Sequence, residues 1–268
     1  MRFLDHFTAP KPVIGMVHLL PLPGSPNWGG SLEAVLARAV ADARAWEAGG
    51  ADGLMVENFG DVPFLPGTVE PHTVAAMTLA VRAVCEAVEL PVGVNVLRND
   101  ARAALAIATV TGARFIRVNV HTGAMLTDQG ILQGLAHETM RLRRALGSSV
   151  CVLADVLVKH AVPLGPLTLE EAARDTFHRG QADGLIVSGS GTGQATSLAD
   201  VQAVKRAVPG APVLVGSGVN EANAAALLTV ADGVIVGSSV KGDGVAQNPV
   251  APERVSALMQ VIRGLRGH

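Results

Sequence analysis

Length, composition and charge limit what this chain is. Its 268 residues fit one α/β barrel or two ordinary domains, and 49% are hydrophobic while only 16% are charged, against roughly 25% in a typical soluble domain. These proportions predict a large buried core and exclude a disordered chain, and the net charge of −2 argues against nucleic acid as the main partner.

Short apolar runs alternate with longer Ala-, Leu- and Arg-rich segments along the whole chain. Strands are predicted at 13–18, 54–57, 92–96, 115–120, 150–154, 185–187, 213–215 and 234–236. Helices are predicted at 32–48, 71–88, 101–110, 131–146, 169–179, 198–208, 221–230 and 252–265. The strands lack polar alternation, which indicates burial on both faces in a parallel sheet. The pattern predicts an α/β fold, a single (β/α)8 TIM barrel that spans residues 1–268 as one domain.

Residues at the predicted helix starts support these boundaries. Ser31, Ser197 and Asn220 are suitable N-caps, and Thr168 with Glu171 forms a capping box. We therefore expect helices to begin directly after them.

One six-residue pattern occurs three times. The near-copies are Ala51-Asp-Gly-Leu-Met-Val56, Ala182-Asp-Gly-Leu-Ile-Val187 and Ala231-Asp-Gly-Val-Ile-Val236, each entering a predicted strand. The first two lie about half the chain apart, which is compatible with a barrel made of two related halves.

The last two predicted strands each end in a glycine turn. Small residues there leave backbone N–H groups unhindered, and in (β/α)8 barrels these two loops commonly hold phosphate. The predicted phosphate-binding residues are Gly216, Ser217, Gly218, Gly237 and Ser238. The alternative is that the glycines only permit tight strand-to-helix turns.

Polar residues that follow the predicted strands should gather at the C-terminal rim of the barrel, where such folds carry their sites. Candidates for proton transfer or carbonyl activation are His18, Glu57, Asp155 and Lys159. Candidates for substrate binding are Asn58, Asp61, Asn95, Arg117, Asn119, Thr122, Asp128, Ser188, Gly189, Thr192 and Gly193. Purely structural roles are the alternatives. Glu57 could form a salt bridge with Arg117, and Lys159 could pair with a negative charge instead of forming an imine with a substrate.

No cofactor motif is evident. The loop 189–193 is glycine-rich but lacks the Lys-Ser/Thr ending of a P-loop and a GxGxxG fingerprint, which favours a mobile loop that covers the substrate. A divalent metal site is an open alternative, with His18, His121 and His160 and either Glu57 or Asp155 as its ligands. No HxH or HExxH spacing supports it.

The chain also indicates its location. Its two cysteines have no CxxC spacing, its first residues do not form a signal sequence, and no apolar stretch reaches the length of a transmembrane helix. We expect a cytoplasmic protein, and the low charge fraction is compatible with a homo-oligomer.

Several motifs together resemble the BtpA/SgcQ family. They are 15–24 (GMVHLLPLPG), 56–64 (VENFGDVPF), 117–123 with 127–130 (RVNVHTG and TDQG), 154–160 (ADVLVKH) and 236–241 (VGSSVK). The resemblance covers nearly the whole chain and implies a TIM-type barrel. In photosynthetic organisms it implies a role in accumulating or stabilising photosystem I at the thylakoid periphery. For other members it implies phosphosugar- or nucleotide-handling enzymes without a settled reaction.

Two functional hypotheses follow. The first is an isomerase, epimerase or lyase that acts on a small phosphorylated metabolite, a sugar phosphate or a nucleoside-derived phosphate. The second is a non-catalytic assembly or stabilisation factor, which predicts a sizeable exposed apolar patch. The many polar residues predicted around the barrel mouth favour the first hypothesis, an enzyme.

Overall fold

Eight apolar strands form a closed parallel barrel in the computed structural model, which describes residues 2–189, 191 and 195–266. The strands, numbered in chain order, are β1 (Val13–His18), β2 (Gly53–Glu57), β3 (Val92–Asn95), β4 (Phe115–Val118), β5 (Ala124–Thr127), β6 (Gly130–Gln133), β7 (Cys151–Asp155), β8 (Ala161–Pro163), β9 (Gly184–Val187), β10 (Val213–Val215) and β11 (Gly233–Val236). The barrel order is β1-β11-β10-β9-β7-β4-β3-β2, and pairing of β2 with β1 closes it. The predicted (β/α)8 fold is confirmed.

Eight α-helices among the described residues cover the barrel. They are α1 (Leu32–Gly49), α2 (Pro71–Ala87), α3 (Ala101–Thr111), α4 (Ala136–Ala145), α5 (Leu169–Arg174), α6 (Leu198–Ala207), α7 (Ala224–Leu228) and α8 (Pro252–Arg266). The Ser31, Ser197 and Thr168–Glu171 caps form as predicted, each with its backbone N–H bond. Asn220 does not cap a helix: its side chain accepts from the backbone N–H groups of Ala222 and Asn223, which closes a turn and delays α7 to Ala224.

A second, three-stranded antiparallel sheet lies outside the barrel in the order β6-β5-β8. Strand β6 occupies the start of the segment predicted as one helix over 131–146, so that prediction is wrong for its first residues and α4 begins only at Ala136. The sheet packs one face on a small core of Val120, Met125, Leu132 and Val158. It therefore forms part of the rim that surrounds the barrel mouth.

Two cores stabilise the barrel. The larger one lies between strands and helices and includes Trp46, whose indole N–H donates to the Met16 carbonyl oxygen at 3.1 Å. The smaller one fills the barrel interior with Ile14, Met55, Phe115, Leu153, Ile186, Leu214 and Ile235 among others. Because the interior is packed with side chains below the C-terminal rim, the rim is the part of the barrel open to a ligand.

Candidate functional site

The two glycine turns predicted to bind phosphate face one small cavity at the barrel mouth. Its volume is about 40 Å³, enough for about three waters. Its lining includes all five predicted phosphate-binding residues, Gly216, Ser217, Gly218, Gly237 and Ser238. Its wall also includes the polar residues His18, Glu57, Arg117 and Lys159. The turns and the predicted proton-transfer groups therefore meet at one place. We call this the inner cavity.

Local packing explains the glycines of the first turn. A Cβ on Gly216 would lie 2.4 Å from Ile186 Cγ2 in the barrel interior, and Gly218 has a φ of +69°, a left-handed conformation that favours glycine. The Ser217 hydroxyl accepts a hydrogen bond from the backbone N–H of Gly189 at 3.0 Å. The loop after β9 is thereby attached to the turn after β10.

Glu57 lies at the end of β2 between two polar neighbours. Its Oε2 accepts a hydrogen bond from Asn95 Nδ2 at 2.5 Å, and its Oε1 lies 3.8 Å from His18 Nε2. His18 Nδ1 donates to the Ala246 carbonyl oxygen at 2.9 Å, which leaves Nε2 without a proton in the neutral ring. Burial lowers the pKa of His18 to about 4 despite the nearby Glu57 carboxylate. His18 is therefore neutral at physiological pH, so it forms no ion pair with Glu57.

Arg117 and Asp155 form a buried ion pair across β4 and β7. Arg117 donates through Nε and Nη2 to the two carboxylate oxygens of Asp155, both at 2.8 Å, and Asn119 Nδ2 donates to Asp155 at 3.1 Å. This arrangement occupies both Asp155 oxygens and leaves that residue off the wall of the inner cavity. Arg117 pairs with Asp155, so the structural alternative of a Glu57–Arg117 salt bridge is not the arrangement formed.

Lys159 extends from the loop after β7 to the barrel mouth. Its amine forms no hydrogen bond or ion pair with any of the described residues, although Glu57 and Asp155 lie near enough to influence it. Burial and the neighbouring Arg117 lower its pKa to about 8. Arg98 fixes the loop, because its Nη2 donates to the Lys159 carbonyl oxygen at 2.8 Å.

A larger cavity of about 440 Å³ opens beyond the inner one. Glu57, Phe59, Arg117 and Lys159 line both cavities. The remaining wall consists of Val62, Phe64, Leu97, Arg98, Asn119, Asp128, Gln129 and His160. We call this the outer cavity. The Phe59 ring stacks on His18 with ring centroids 4.3 Å apart, so it lies where the two cavities join.

Other predicted binding residues lie away from both cavities. Asn58 and Asp61 bond to each other at 3.0 Å and hold neighbouring loops, Asn58 through the Leu97 backbone N–H and Asp61 through that of Leu22. Thr122 shares a hydrogen bond with the Thr176 hydroxyl.

The loop after β9 is only partly described. The Ser188 hydroxyl is buried and has no partner among the described residues. Thr192 and Gly193 lie outside the described residues.

The sequence patterns did not identify Arg98, Phe59, Phe64 and Gln129 as lining residues. Arg98 lies three positions after the end of β3. The rule that selects polar residues just after a strand would have identified it if the rule had included the third position. The two phenylalanines belong to the motif after β2 but carry no polar group that marks them. Gln129 lies in the turn between β5 and β6. The sheet that these strands form was not predicted, because the segment that includes β6 was predicted as a helix.

The described ranges, with Ser190 and residues 192–194 left aside, contain no group of three or more His, Cys, Asp or Glu side chains placed to hold a metal ion. Nor does any helix in the part of the chain that the structure describes have the length and apolar character needed to cross a membrane.

Fold and site together define a (β/α)8 barrel whose polar residues gather around cavities at its C-terminal rim. Comparison with protein families identifies the group: the BtpA family model matches residues 9–264, and the chain belongs to that family. It is 52% identical over 262 residues to the photosystem I biogenesis protein BtpA of Synechocystis, covering 98% of this chain and 91% of the relative. It is 36% identical over 259 residues to the sgc region protein SgcQ of Escherichia coli, covering 96% of each.

Solved structures show the same fold at low sequence identity. The phosphoribosyl anthranilate isomerase of Thermus thermophilus superposes with a TM-score of 0.57 at 16% identity, covering 95% of this chain and 100% of that one. The thiamine phosphate pyrophosphorylase of Pyrococcus furiosus gives a TM-score of 0.58 at 13% identity, covering 95% and 96%. At such identities the likeness establishes the barrel fold alone.

Proposed function

We propose that this chain is an enzyme that acts on a small phosphorylated metabolite, a sugar phosphate or a nucleoside-derived phosphate. One observation carries the proposal: both glycine turns, Glu57 and Lys159 line the same inner cavity. An anion held by the turns would place the atoms attached to it against a carboxylate and an amine. Two of the barrels with the same fold are, by name, a phosphoribosyl anthranilate isomerase and a thiamine phosphate pyrophosphorylase, which is compatible with the proposal but adds only the fold.

The phosphate site is supported by the donors around it. Gly216, Gly218 and Gly237 offer a backbone without side chains, and the hydroxyls of Ser217 and Ser238 border the same space. Asp155 neutralises Arg117, so Lys159 supplies the positive charge that has no carboxylate bonded to it in the described structure. Lys159 would therefore contribute one positive charge toward a bound phosphate.

Glu57 and Lys159 suit proton transfer beside a carbonyl. Glu57 is buried, held by Asn95, and free of any bonded cation, which fits a general base or acid. Lys159, with a pKa of about 8, is mostly protonated at pH 7 and would polarise a carbonyl oxygen. Asn95 orients Glu57, and Asp155 holds Arg117 in place. The set fits isomerisation, epimerisation or C–C/C–N lysis.

A ligand screen with a variant that introduces a negative charge tests the proposal. Inorganic phosphate and a panel of sugar phosphates should raise the melting temperature of the wild-type protein, because a ligand bound only to the folded state stabilises it by RT ln(1 + [L]/Kd). Ser238→Asp places a carboxylate in the inner cavity and should abolish the shift by repulsion. Differential scanning fluorimetry measures both.

The matched control is Ser256→Asp, which adds the same charge on an exposed face of α8. It should leave the phosphate-induced shift unchanged. If phosphates stabilise Ser238→Asp as much as the wild type, the glycine turns are not the phosphate site and the proposal fails.

A second candidate function rests on the outer face of the three-stranded sheet. Ile131, Leu126 and Val162 are directly opposite one another across β6, β5 and β8, and they are 55%, 51% and 65% exposed. This row is the exposed apolar patch expected of an assembly factor, the role named for the Synechocystis relative. Leu126→Ser would weaken such a function and leave phosphate binding intact.

A further inference from the structure

The outer cavity is much larger than a phosphate site needs. It measures about 440 Å³ against about 40 Å³ for the inner one. The two meet at Glu57, Phe59, Arg117 and Lys159, which line both. A ligand whose phosphate lies on the glycine turns and whose reacting carbon lies beside Glu57 would therefore project any further group into the outer cavity.

The outer cavity contains buried polar atoms without partners. Seven such side-chain atoms occur among the described residues, and three of them belong to residues on this one wall: Arg98 Nε, Asn119 Oδ1 and Gln129 Oε1. Arg98 and Asn119 are only 5% and 3% exposed. An unsatisfied buried polar atom is costly, so a concentration of three beside one cavity points to a ligand that satisfies them.

The chemical character of the three atoms is fixed by their other bonds. The Asn119 amide nitrogen donates to Asp155, and the Gln129 amide nitrogen donates to Asp128, which leaves the oxygens of both amides as the unpaired acceptors. Arg98 Nε is a donor, because a guanidinium has no acceptor. The wall therefore offers one donor and two acceptors to a ligand.

The rest of the outer wall is apolar and partly aromatic. Phe59, Phe64, Val62 and Leu97 line it opposite or beside the polar groups. A flat ring that carries both hydrogen-bond acceptors and donors matches such a wall. Aromatic side chains favour stacking on the face of a flat ring, and the polar atoms can form hydrogen bonds with the groups at the edge of that ring.

We propose that the substrate has two parts: a phosphorylated sugar whose phosphate group lies in the inner cavity, and a planar nitrogen-containing ring that occupies the outer cavity against Phe64, Arg98, Asn119 and Gln129. This inference rests on the proposed function, because the phosphate must be held by the glycine turns. The reacting carbon would be the one that joins sugar and ring, next to Glu57 and Lys159. A simple sugar phosphate would leave most of the outer cavity empty.

Calorimetric titration with three probes tests the inference. Ribose 5-phosphate represents the sugar part alone, and uridine 5′-monophosphate and adenosine 5′-monophosphate add a ring. At least one nucleotide should bind the wild-type protein about tenfold more tightly than ribose 5-phosphate, the factor that stacking a single base on an aromatic side chain contributes.

Two variants locate the added affinity. Phe64→Ala removes the aromatic wall, and Gln129→Leu removes the unpaired Oε1 acceptor. Each should reduce the preference for the nucleotide to about twofold or less and leave the affinity for ribose 5-phosphate unchanged. Leu126→Ala, on the exposed sheet face outside the cavity, is the matched control and should change neither affinity.

The outcomes separate this inference from the proposed function. If ribose 5-phosphate binds, is lost in Ser238→Asp, and equals both nucleotides in affinity, the two-part substrate is wrong and the phosphate site stands. A nucleotide preference that survives both Phe64→Ala and Gln129→Leu also overturns the inference. If none of the three probes binds, both proposals fail.

Discussion

Lys159 is the residue whose environment most changes its chemistry. An ordinary lysine has a pKa near 10.4, so only about one amine in a few thousand is unprotonated at pH 7. Burial and Arg117 lower the pKa of Lys159 to about 8, so about one in ten is unprotonated at that pH. The protonated amine can therefore provide a positive charge, and the unprotonated amine can act as a nucleophile.

Labelling with an amine-selective reagent should reveal this pKa. Reaction of Lys159 with acetic anhydride should rise with pH and reach half of its maximum near pH 8, because only the free amine reacts. Phosphate bound nearby favours the charged amine, so it should move the midpoint to higher pH and slow the labelling at pH 8. Mass spectrometry of the peptide containing Lys159 measures both effects.

A short synthetic peptide of residues 154–164, in which the lysine is exposed, is the control for this experiment. Its midpoint should lie near 10.4 and should not respond to phosphate. A folded-state midpoint equal to that of the peptide would show that Lys159 is solvated and would remove it from the proposed chemistry.

At the scale of elements, the three Ala-Asp-Gly repeats share one structural role. The carboxylates of Asp52, Asp183 and Asp232 accept hydrogen bonds from backbone N–H groups at the start of neighbouring strands, those of Val13, Val152 and Val213, at 2.7 to 2.8 Å. Each also binds a cation, respectively Arg266, Arg143 and Lys205. The repeats therefore stabilise the N-terminal ends of the strands, opposite the site.

Removal of one such carboxylate should destabilise the fold. Asp232→Ala leaves the Val213 N–H and Lys205 without their partner, which should lower the free energy of unfolding by about 1–3 kcal/mol. Urea denaturation followed by circular dichroism measures the change. Glu221→Ala, which removes an exposed carboxylate, should have an effect within about 0.5 kcal/mol. Equal losses in the two variants would contradict this role.

The barrel strands were predictable because burial on both faces leaves a direct signal. Val213–Val215 coincides with its prediction, and β11 extends the predicted 234–236 by Gly233 alone. The three-stranded sheet was not predictable from alternation, because Met125 and Leu126 point to opposite faces and both are apolar. Its one local signal was the turn before Gly130, whose φ of +92° suits a hairpin.

The candidate site was predictable in its position but not in its pairings. Placement after strands brought Glu57, Lys159 and the glycine turns to one cavity, as the barrel topology requires. The sequence contained no signal that Arg117 would bind Asp155 and not Glu57, because that choice depends on side-chain geometry between β4 and β7. Their roles in binding and catalysis stay predictions.

For the whole molecule, the two ends of the barrel have different tasks. The N-terminal segment closes the bottom: Phe3 is fully buried and contacts Phe115 edge-to-face with centroids 5.4 Å apart. His6 Nε2 lies 3.7 Å from Cys151 Sγ at the start of β7. The proposed phosphate site lies at the opposite rim, at the ends of β10 and β11. Stability and ligand binding should therefore respond to different substitutions.

Phe3→Ala and Ser238→Asp should separate the two tasks. Phe3→Ala removes a buried ring from the barrel floor and should lower the free energy of unfolding by about 3–5 kcal/mol, while the remaining folded protein keeps its affinity for phosphate. Ser238→Asp should lose phosphate binding and retain most of its stability, because Ser238 is only partly buried. Urea titration with and without phosphate measures both properties for each variant. If Phe3→Ala abolishes phosphate binding at a urea concentration where it remains folded, floor and rim are coupled, and the division of tasks between the two ends is wrong.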